Sequence, residues 1–232
     1  MIKVRRKNEI FFIDGEWFQG YWHFSFDRYY DPENTRFGTL RVFNVDTLIP
    51  GAVWPMHPHR EMEVVTYCVD GQFEHADNLG NDGVLQPGDV QHTTIGRGMW
   101  HSEINHSKTE PMTFIQMWIL PRVLGLPPSV EQKRVRREER LNRLLPIVSD
   151  RHQDALPIRQ DAQIYASDLE RGRSLSHAFE EGYGAYFYVI SGSVKLGEYT
   201  LNAGDAAKIS QESSISIQAL EESHLLLTVV RV

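Results

Sequence analysis

The sequence contains a single cysteine, Cys68, among 232 residues. One cysteine cannot form an internal disulfide, and its position in the apolar run 64–69 predicts a buried thiol in a reducing compartment. Long apolar runs are also missing, since no window approaches the ~18 residues that a membrane-spanning helix needs. We therefore expect a soluble, cytoplasmic protein with no membrane partner.

Positive charge is scarce as well. Lysine and arginine together number 24 against 31 aspartates and glutamates, so the formal net charge is −7. This excess of negative charge disfavours nonspecific binding to the phosphate backbone of nucleic acids, and we expect no direct binding of nucleic acid. The chain also lacks a Gly-x-Ser-x-Gly elbow, a P-loop and a dinucleotide-binding fingerprint. A monomer that binds a small molecule is the expectation that remains.

Two pairs of metal-capable side chains are present. His57 and His59 flank Pro58, and His101 and Glu103 follow some forty residues later. Pro58 disfavours a helix, and in an extended strand residues two apart point to the same face. Two strands could thus aim four ligands at one point. The spacing predicts a metal pocket lined by β-strands.

The alternative to a metal site is an ordinary hydrogen-bonded polar cluster. Burying three imidazoles and a carboxylate without a compensating charge is costly, and this favours metal binding. Imidazole and carboxylate ligands suit Fe, Mn, Co, Ni, Cu and Zn alike. The ligand types therefore leave the identity of the metal open.

The pattern of strands and turns predicts an all-β fold built from two copies of one unit. Gly71 matches Gly192 at an offset of 121, and Gly88 matches Gly204 at an offset of 116. We predict a first barrel over residues 1–125, a charged connecting segment over residues 126–145 and a second barrel over residues 146–232.

The second copy is predicted to have lost its metal ligands. The offset of 121 places Ala178 and Glu180 where His57 and His59 stand in the first copy. The offset of 116 places Ile217 opposite His101. One metal ion, held by the first barrel alone, is the resulting expectation.

The metal-capable residues belong to motifs of a known family. Two segments resemble the signature motifs of the cupin superfamily: Gly51-x5-His57-x-His59-x3-Glu63 and Gly98-x2-His101-x3-Asn105. Segments 22–32, 57–63 and 96–103 resemble the pirin family more closely. The resemblance is dense over residues 15–120 and weaker over the remainder of the chain.

The resemblance implies a bicupin, which is a pair of tandem jelly-roll-like cupin barrels. In this family the first barrel binds iron, as Fe(II), through three histidines and one glutamate. The matching residues here are His57, His59, His101 and Glu103. Glu63 is followed by seven residues before Gly71, where the general cupin signature has six. This departure favours Glu103 over Glu63 as the carboxylate ligand.

Two functional hypotheses follow from the resemblance. The first is a metal-dependent quercetin 2,3-dioxygenase that cleaves the heterocyclic ring of a flavonol with O₂ and releases CO, with Glu103 as the base. The second is a non-catalytic metal-binding or redox-sensing cupin that acts through a protein partner. Family members in animal cells that serve as iron-dependent transcriptional co-regulators illustrate the second.

Overall fold

The computed structural model describes residues 1–232 and is almost entirely β-structure, which confirms the predicted all-β class. Besides a 3-10 turn at Lys7–Glu9 it contains one short helix, α1 (Arg137–Arg140). The strands are β1 (Ile2–Arg5), β2 (Phe11–Asp14), β3 (Phe18–Trp22), β4 (Leu40–Leu48), β5 (Val53–His59), β6 (Glu63–Asp70), β7 (Phe73–Asp77), β8 (Asp82–Leu85), β9 (Val90–Thr94), β10 (Met99–Asn105), β11 (Met112–Ile119), β12 (Ser129–Lys133), β13 (Leu145–Ser149), β14 (Leu156–Pro157), β15 (Ala162–Leu169), β16 (Ser174–Ala178), β17 (Tyr183–Ser191), β18 (Ser193–Leu196), β19 (Tyr199–Asn202), β20 (Ala206–Ile209), β21 (Ser214–Ala219) and β22 (Ser223–Arg231). None of the helical segments is long and apolar enough to cross a membrane.

The chain divides into two compact units. The first barrel comprises Phe11–Val135 and Leu156–Gln160, and the second barrel comprises Met1–Ile10, Arg136–Ala155 and Asp161–Val232. The first barrel pairs a seven-stranded sheet of order β12-β9-β6-β11-β4-β3-β2 with a four-stranded sheet of order β5-β10-β7-β8. In the second barrel, strands β1-β20-β17-β22-β15-β13 lie side by side and the smaller sheet has the order β16-β21-β18-β19. The two barrels therefore repeat one architecture.

The units differ from the boundaries expected from the sequence at two places. Strand β1 pairs with β20, with Ile2 opposite Ile209, so the first residues of the chain belong to the second barrel. Strand β12, inside the segment expected to connect the barrels, pairs with β9 of the first barrel. Both are edge strands, and the partner of an edge strand is chosen by long-range pairing that local residue patterns do not encode.

Alternation along the strands places apolar side chains inside each barrel. The apolar end of the first barrel contains Cys68, which is fully buried against Phe73 and Phe114. Burial raises the pKa of the Cys68 thiol to about 12, so the thiol is protonated and unreactive at neutral pH. The predicted role of the single cysteine as a buried thiol is confirmed.

The two copies are aligned by their hairpin glycines. Gly71 and Gly192, with φ of 75° and 82°, turn the chain into β7 and β18. Matching these glycines makes Phe73 equivalent to Val194. This equivalence gives each smaller sheet a fixed point from which the register of its other strands can be read.

The register of β21 differs from the predicted one. Phe73 pairs with Asn105, and Val194 pairs with Ala219, so the offset between β10 and β21 is 219 − 105 = 114. The sequence predicted an offset of 116. Position 217 therefore matches position 103, and not position 101 as predicted.

The same register corrects the predicted match for the first histidine pair. His57 pairs with His101, and His177 pairs with Ile215, which the offset of 114 matches to His101. His177, and not Ala178, thus takes the place of His57. Because the loops of the two barrels differ in length, no single offset aligns the two copies along their whole length. An alignment error of one residue then assigns every side chain of a strand to the wrong face.

The hairpin glycine of the second barrel offers a test of this packing. A Cβ on Gly192 would overlap the carbonyl oxygen of Glu222 and lie 2.8 Å from Cα of Ser223, whereas a Cβ on Gly172, at nearly the same φ of 81°, meets nothing within 4 Å. Gly172→Ala should lower the free energy of unfolding by about 1–2 kcal/mol through backbone strain alone. Gly192→Ala should lower it by at least about 2 kcal/mol more, because of overpacking. Urea unfolding of both variants measures the difference, and equal losses would contradict the proposed close approach.

Candidate metal centre

The four metal-capable side chains lie on two neighbouring antiparallel strands. His57 and His59 are on β5, His101 and Glu103 are on β10, and His101 stands directly opposite His57. The pairing shifts register between His101 and Glu103, and such an irregularity re-aims a side chain. One ligand-capable atom from each of the three histidines lies within 4.8 Å of the others. The structure therefore brings the predicted histidines together.

Three atoms of this cluster that could each bind a metal through a lone pair are buried without any hydrogen-bond partner. They are Nε2 of His59, Nε2 of His101 and Oε2 of Glu103. An isolated buried polar atom is destabilising by about 1–3 kcal/mol, so several at one point call for a binding partner. The hydrogen-bonded polar cluster considered above would have paired these atoms with one another. The donor set instead fits a metal cation.

The protonation of the imidazoles also suits a metal ion. His57 Nδ1 lies 2.8 Å from the carbonyl oxygen of Pro55, which can only accept, so Nδ1 carries the proton and Nε2 keeps its lone pair. Burial, together with the smaller effect of neighbouring imidazoles, lowers the pKa of His101 to about 3 and that of His59 to about 4. Neutral imidazole is the form that binds metal.

Glu103 completes the cluster and is held in place by a short relay. Its Oε2 lies 4.0 Å from His57 Nε2 and its Oε1 lies 3.7 Å from His101 Nε2. Gln116 Nε2 donates to Oε1 at 2.8 Å, and Trp118 Nε1 donates to Gln116 Oε1 at 2.7 Å. The indole fixes which way the amide points, and the amide leaves Oε2 of the carboxylate unpartnered beside the imidazoles.

Glu63 is engaged elsewhere. Its Oε2 accepts hydrogen bonds from His92 Nε2 at 2.6 Å and from Thr94 Oγ1 at 3.0 Å, both on β9. Another nearby histidine, His75, has both ring nitrogens occupied, one by Asp77 at 3.0 Å and the other by Gln91 at 3.2 Å. These contacts favour Glu103 over Glu63 as the carboxylate of the site.

The cluster faces a cavity of about 100 Å³. Its walls are aromatic at Phe26, Trp54 and Trp118, and its polar lining includes Asp46. Burial raises the pKa of Asp46 to about 7, although Trp22 Nε1 donates to its Oδ1 at 3.1 Å. A carboxyl group close to its own pKa at neutral pH therefore lines the pocket.

Sequence reasoning missed three polar residues of the pocket: Asn44, Asp46 and Gln116. They stand in strands that otherwise carry mostly apolar residues, β4 and β11, and all three are buried. A polar residue within such a strand was the available signal, because it must find a partner or line a site.

Family models match both barrels. The pirin model matches residues 3–119, and the model of the quercetinase C-terminal cupin domain matches residues 146–228. The chain belongs to the pirin family. The resemblance read from the sequence motifs is therefore confirmed, together with the tandem cupin architecture.

Relatives of known name cover nearly the full length of the chain. A quercetin 2,3-dioxygenase of Escherichia coli is 33% identical over 227 residues, which is 98% of this chain and 97% of the relative. A pirin-like protein of Caulobacter vibrioides is 38% identical over 216 residues, 92% and 93% of the two chains. The solved structure of the E. coli pirin YhhW in complex with nickel(II) matches with a TM-score of 0.94 and 32% identity, over 100% of this chain and 99% of that one.

The ligand assignment predicts how four variants should differ in metal content. His57→Ala, His59→Ala and His101→Ala should each lose most bound metal, because each removes a donor from the cluster. Glu63→Gln should keep near wild-type metal, because that carboxylate is bonded to His92 and Thr94. Elemental analysis after reloading with one metal gives the ratios. A metal-free but folded Glu63→Gln protein would show that Glu63, and not Glu103, is the carboxylate ligand.

The relay through Gln116 predicts an effect on affinity without loss of a ligand. Gln116→Leu keeps the side-chain size but removes the donor to Glu103, and changes to such outer partners typically weaken metal binding by about 10–100-fold. Gln19→Leu, which removes only a contact to Asp14 at 2.9 Å, is the matched control. Competition with a chelator measures both dissociation constants. Unchanged affinity in a folded Gln116→Leu protein would rule out the orienting role.

Proposed function

We propose that this pirin is a metal-dependent dioxygenase that cleaves the heterocyclic ring of quercetin-like flavonols with O₂ and releases CO. The observation that supports it most is a set of three buried atoms without hydrogen-bond partners beside an aromatic pocket. They are Nε2 of His59, Nε2 of His101 and Oε2 of Glu103. The relative of E. coli named quercetin 2,3-dioxygenase supports the same reaction class.

In this proposal His57, His59, His101 and Glu103 hold one divalent ion. Fe(II) is our choice from the family resemblance, and the nickel(II) complex of a relative fits the range of metals, Mn, Co, Ni, Cu and Zn among them, that such ligands accept. When bound, the ion supplies Lewis acidity, which lowers the pKa of a substrate hydroxyl, and redox chemistry toward O₂.

The pocket walls would bind and orient the substrate. Phe26, Trp54 and Trp118 are partly exposed, so part of each ring is available to contact a planar aromatic molecule. The cavity of about 100 Å³ is smaller than the roughly 300 Å³ or more of sites that enclose a drug-sized ligand. Only the hydroxy-ketone edge of a flavonol would therefore enter, while its remaining rings lie against the aromatic rim and exclude water.

Glu103 is the base in this proposal. Gln116 occupies Oε1, so Oε2 would have to leave the ion before it could take the proton from the flavonol 3-hydroxyl. The deprotonated heterocycle then reacts with O₂, its ring opens, and CO leaves. The residues of the chain thus supply orientation, a dry pocket and the acceptor for one proton.

A metal-dependent sensor that acts through a protein partner is the second candidate. The small volume of the cavity favours it, because a module that only reports metal occupancy or redox state needs no room for a flavonol. The two candidates share the metal site and differ in turnover.

Glu103→Gln separates the two candidates. The amide keeps the size and one acceptor oxygen but cannot take a proton, and a positioned base typically contributes about 10²–10⁴-fold in rate. Quercetin consumption per bound metal under air should therefore fall by about that factor, more than metal occupancy falls. Glu110→Gln, at an exposed position, is the control and should behave as wild type.

Each other outcome has a definite meaning. Normal turnover per metal in Glu103→Gln would show that another group is the base. Absence of turnover in the wild type with every metal tested would overturn the dioxygenase and leave the sensor.

A further inference from the structure

The second barrel contains a cavity of its own, of about 190 Å³, which the proposed reaction does not use. It lies among side chains of β15, β16 and β17, including Tyr165, His177 and Tyr183. Its volume is nearly twice that of the cavity beside the metal cluster. Polar side chains line it beside apolar ones, among them Arg151, His152 and Gln163.

The cavity is not a second metal site. By strand register His177 takes the place of His57, but apolar residues take the other three ligand positions: Phe179, Ile215 and Ile217. Ile215 and Ile217 are buried in the core of the barrel. The apolar residues that line the cavity itself are Ala178, Phe179 and Val229, and they provide surface against which an aromatic ring can pack.

The interior of the cavity offers aromatic surface with hydroxyl-binding groups. The rings of Tyr165 and Phe179 meet the His177 imidazole edge to face, at centroid distances of 5.2 and 5.0 Å. The Tyr165 hydroxyl is held only by long hydrogen bonds, 3.4 Å to His152 and 3.5 Å to Gln163. Such long bonds are weak, so a ligand hydroxyl at normal distance would compete with them successfully.

A positively charged side chain, that of Arg151, lies at the edge of the cavity. The Arg151 guanidinium lies over the ring of Tyr183, 5.5 Å from its centroid, and donates to the Tyr183 hydroxyl at 3.2 Å. It also contacts two carboxylates, Glu180 at 2.5 Å and Asp150 at 3.3 Å.

The contact with Glu180 is replaceable. The Glu180 side chain is 66% exposed, and an exposed ion pair contributes at most about 1 kcal/mol. A ligand carboxylate, which binds guanidinium bidentately, can take its place at little cost. Tyr183 keeps the guanidinium in position during that exchange.

We propose that the second barrel binds a single-ring hydroxylated aromatic acid. The ring lies against Tyr165 and Phe179, its hydroxyl bonds to His177 and the Tyr165 hydroxyl, and its carboxylate replaces Glu180 on Arg151. Size sets the one-ring limit, because an apolar cavity of roughly 150 Å³ accommodates benzene and 190 Å³ leaves room for small substituents. This site is independent of the metal and of the dioxygenase reaction.

The test is calorimetric titration of the full-length, metal-free protein with 4-hydroxybenzoate. Arg151→Gln should weaken binding by at least about tenfold, since a charge-assisted bond is lost. 4-Hydroxybenzamide, which lacks the carboxylate, should bind wild type at least about tenfold more weakly than the acid. Arg171→Gln, at an exposed position on the same barrel outside the cavity, is the matched control and should change nothing.

A second variant places the ligand in one barrel or the other. His177→Leu should weaken binding, whereas His101→Ala, which alters only the first barrel, should leave it intact. Loss of binding in His101→Ala with retention in His177→Leu and Arg151→Gln would put the acid in the first barrel and overturn the proposal. Absence of any binding of 4-hydroxybenzoate to the wild type would overturn it too.

Discussion

The candidate metal centre depends on the antiparallel pairing of β5 with β10. That pairing sets His57 opposite His101, and the alternation of side chains then brings His59 and Glu103 to the same face. Between His101 and Glu103 the pairing shifts so that Glu103 lies opposite Trp54, which places the extra residue of this irregularity in β5. Because the ligands come from only two adjacent strands, backbone hydrogen bonds hold their spacing before any ion binds.

Burial then decides the chemistry of these side chains. It lowers the pKa of His59 and His101 far enough to keep both imidazoles neutral, and their buried Nε2 atoms have no protein hydrogen-bond partners. The relay from Trp118 through Gln116 reaches Oε1 of Glu103 and spares Oε2. The side chains are thus held in one arrangement by the protein itself, which is the general condition for a site that could place a metal ion precisely.

How far the sequence predicts this structure depends on the range of the interaction. The convergence of the four metal-capable side chains follows from a local rule, the two-residue period of a strand, whereas the register shift that leaves Glu103 opposite Trp54 does not. The partner of β1, the register of β21 and the position of His177 depend on long-range pairing and loop length, which no local pattern encodes. Gln116 was missed because its role comes from a neighbouring strand.

The comparison of the two barrels also bears on what the first one binds. Unpartnered buried donors are destabilising, and in the second barrel three of the four corresponding positions are apolar: Phe179, Ile215 and Ile217. The fold is therefore stable without a polar cluster at this place. Since Nε2 of His59, Nε2 of His101 and Oε2 of Glu103 nonetheless lack hydrogen-bond partners in the first barrel, these atoms could hold a cation and are not required by the fold.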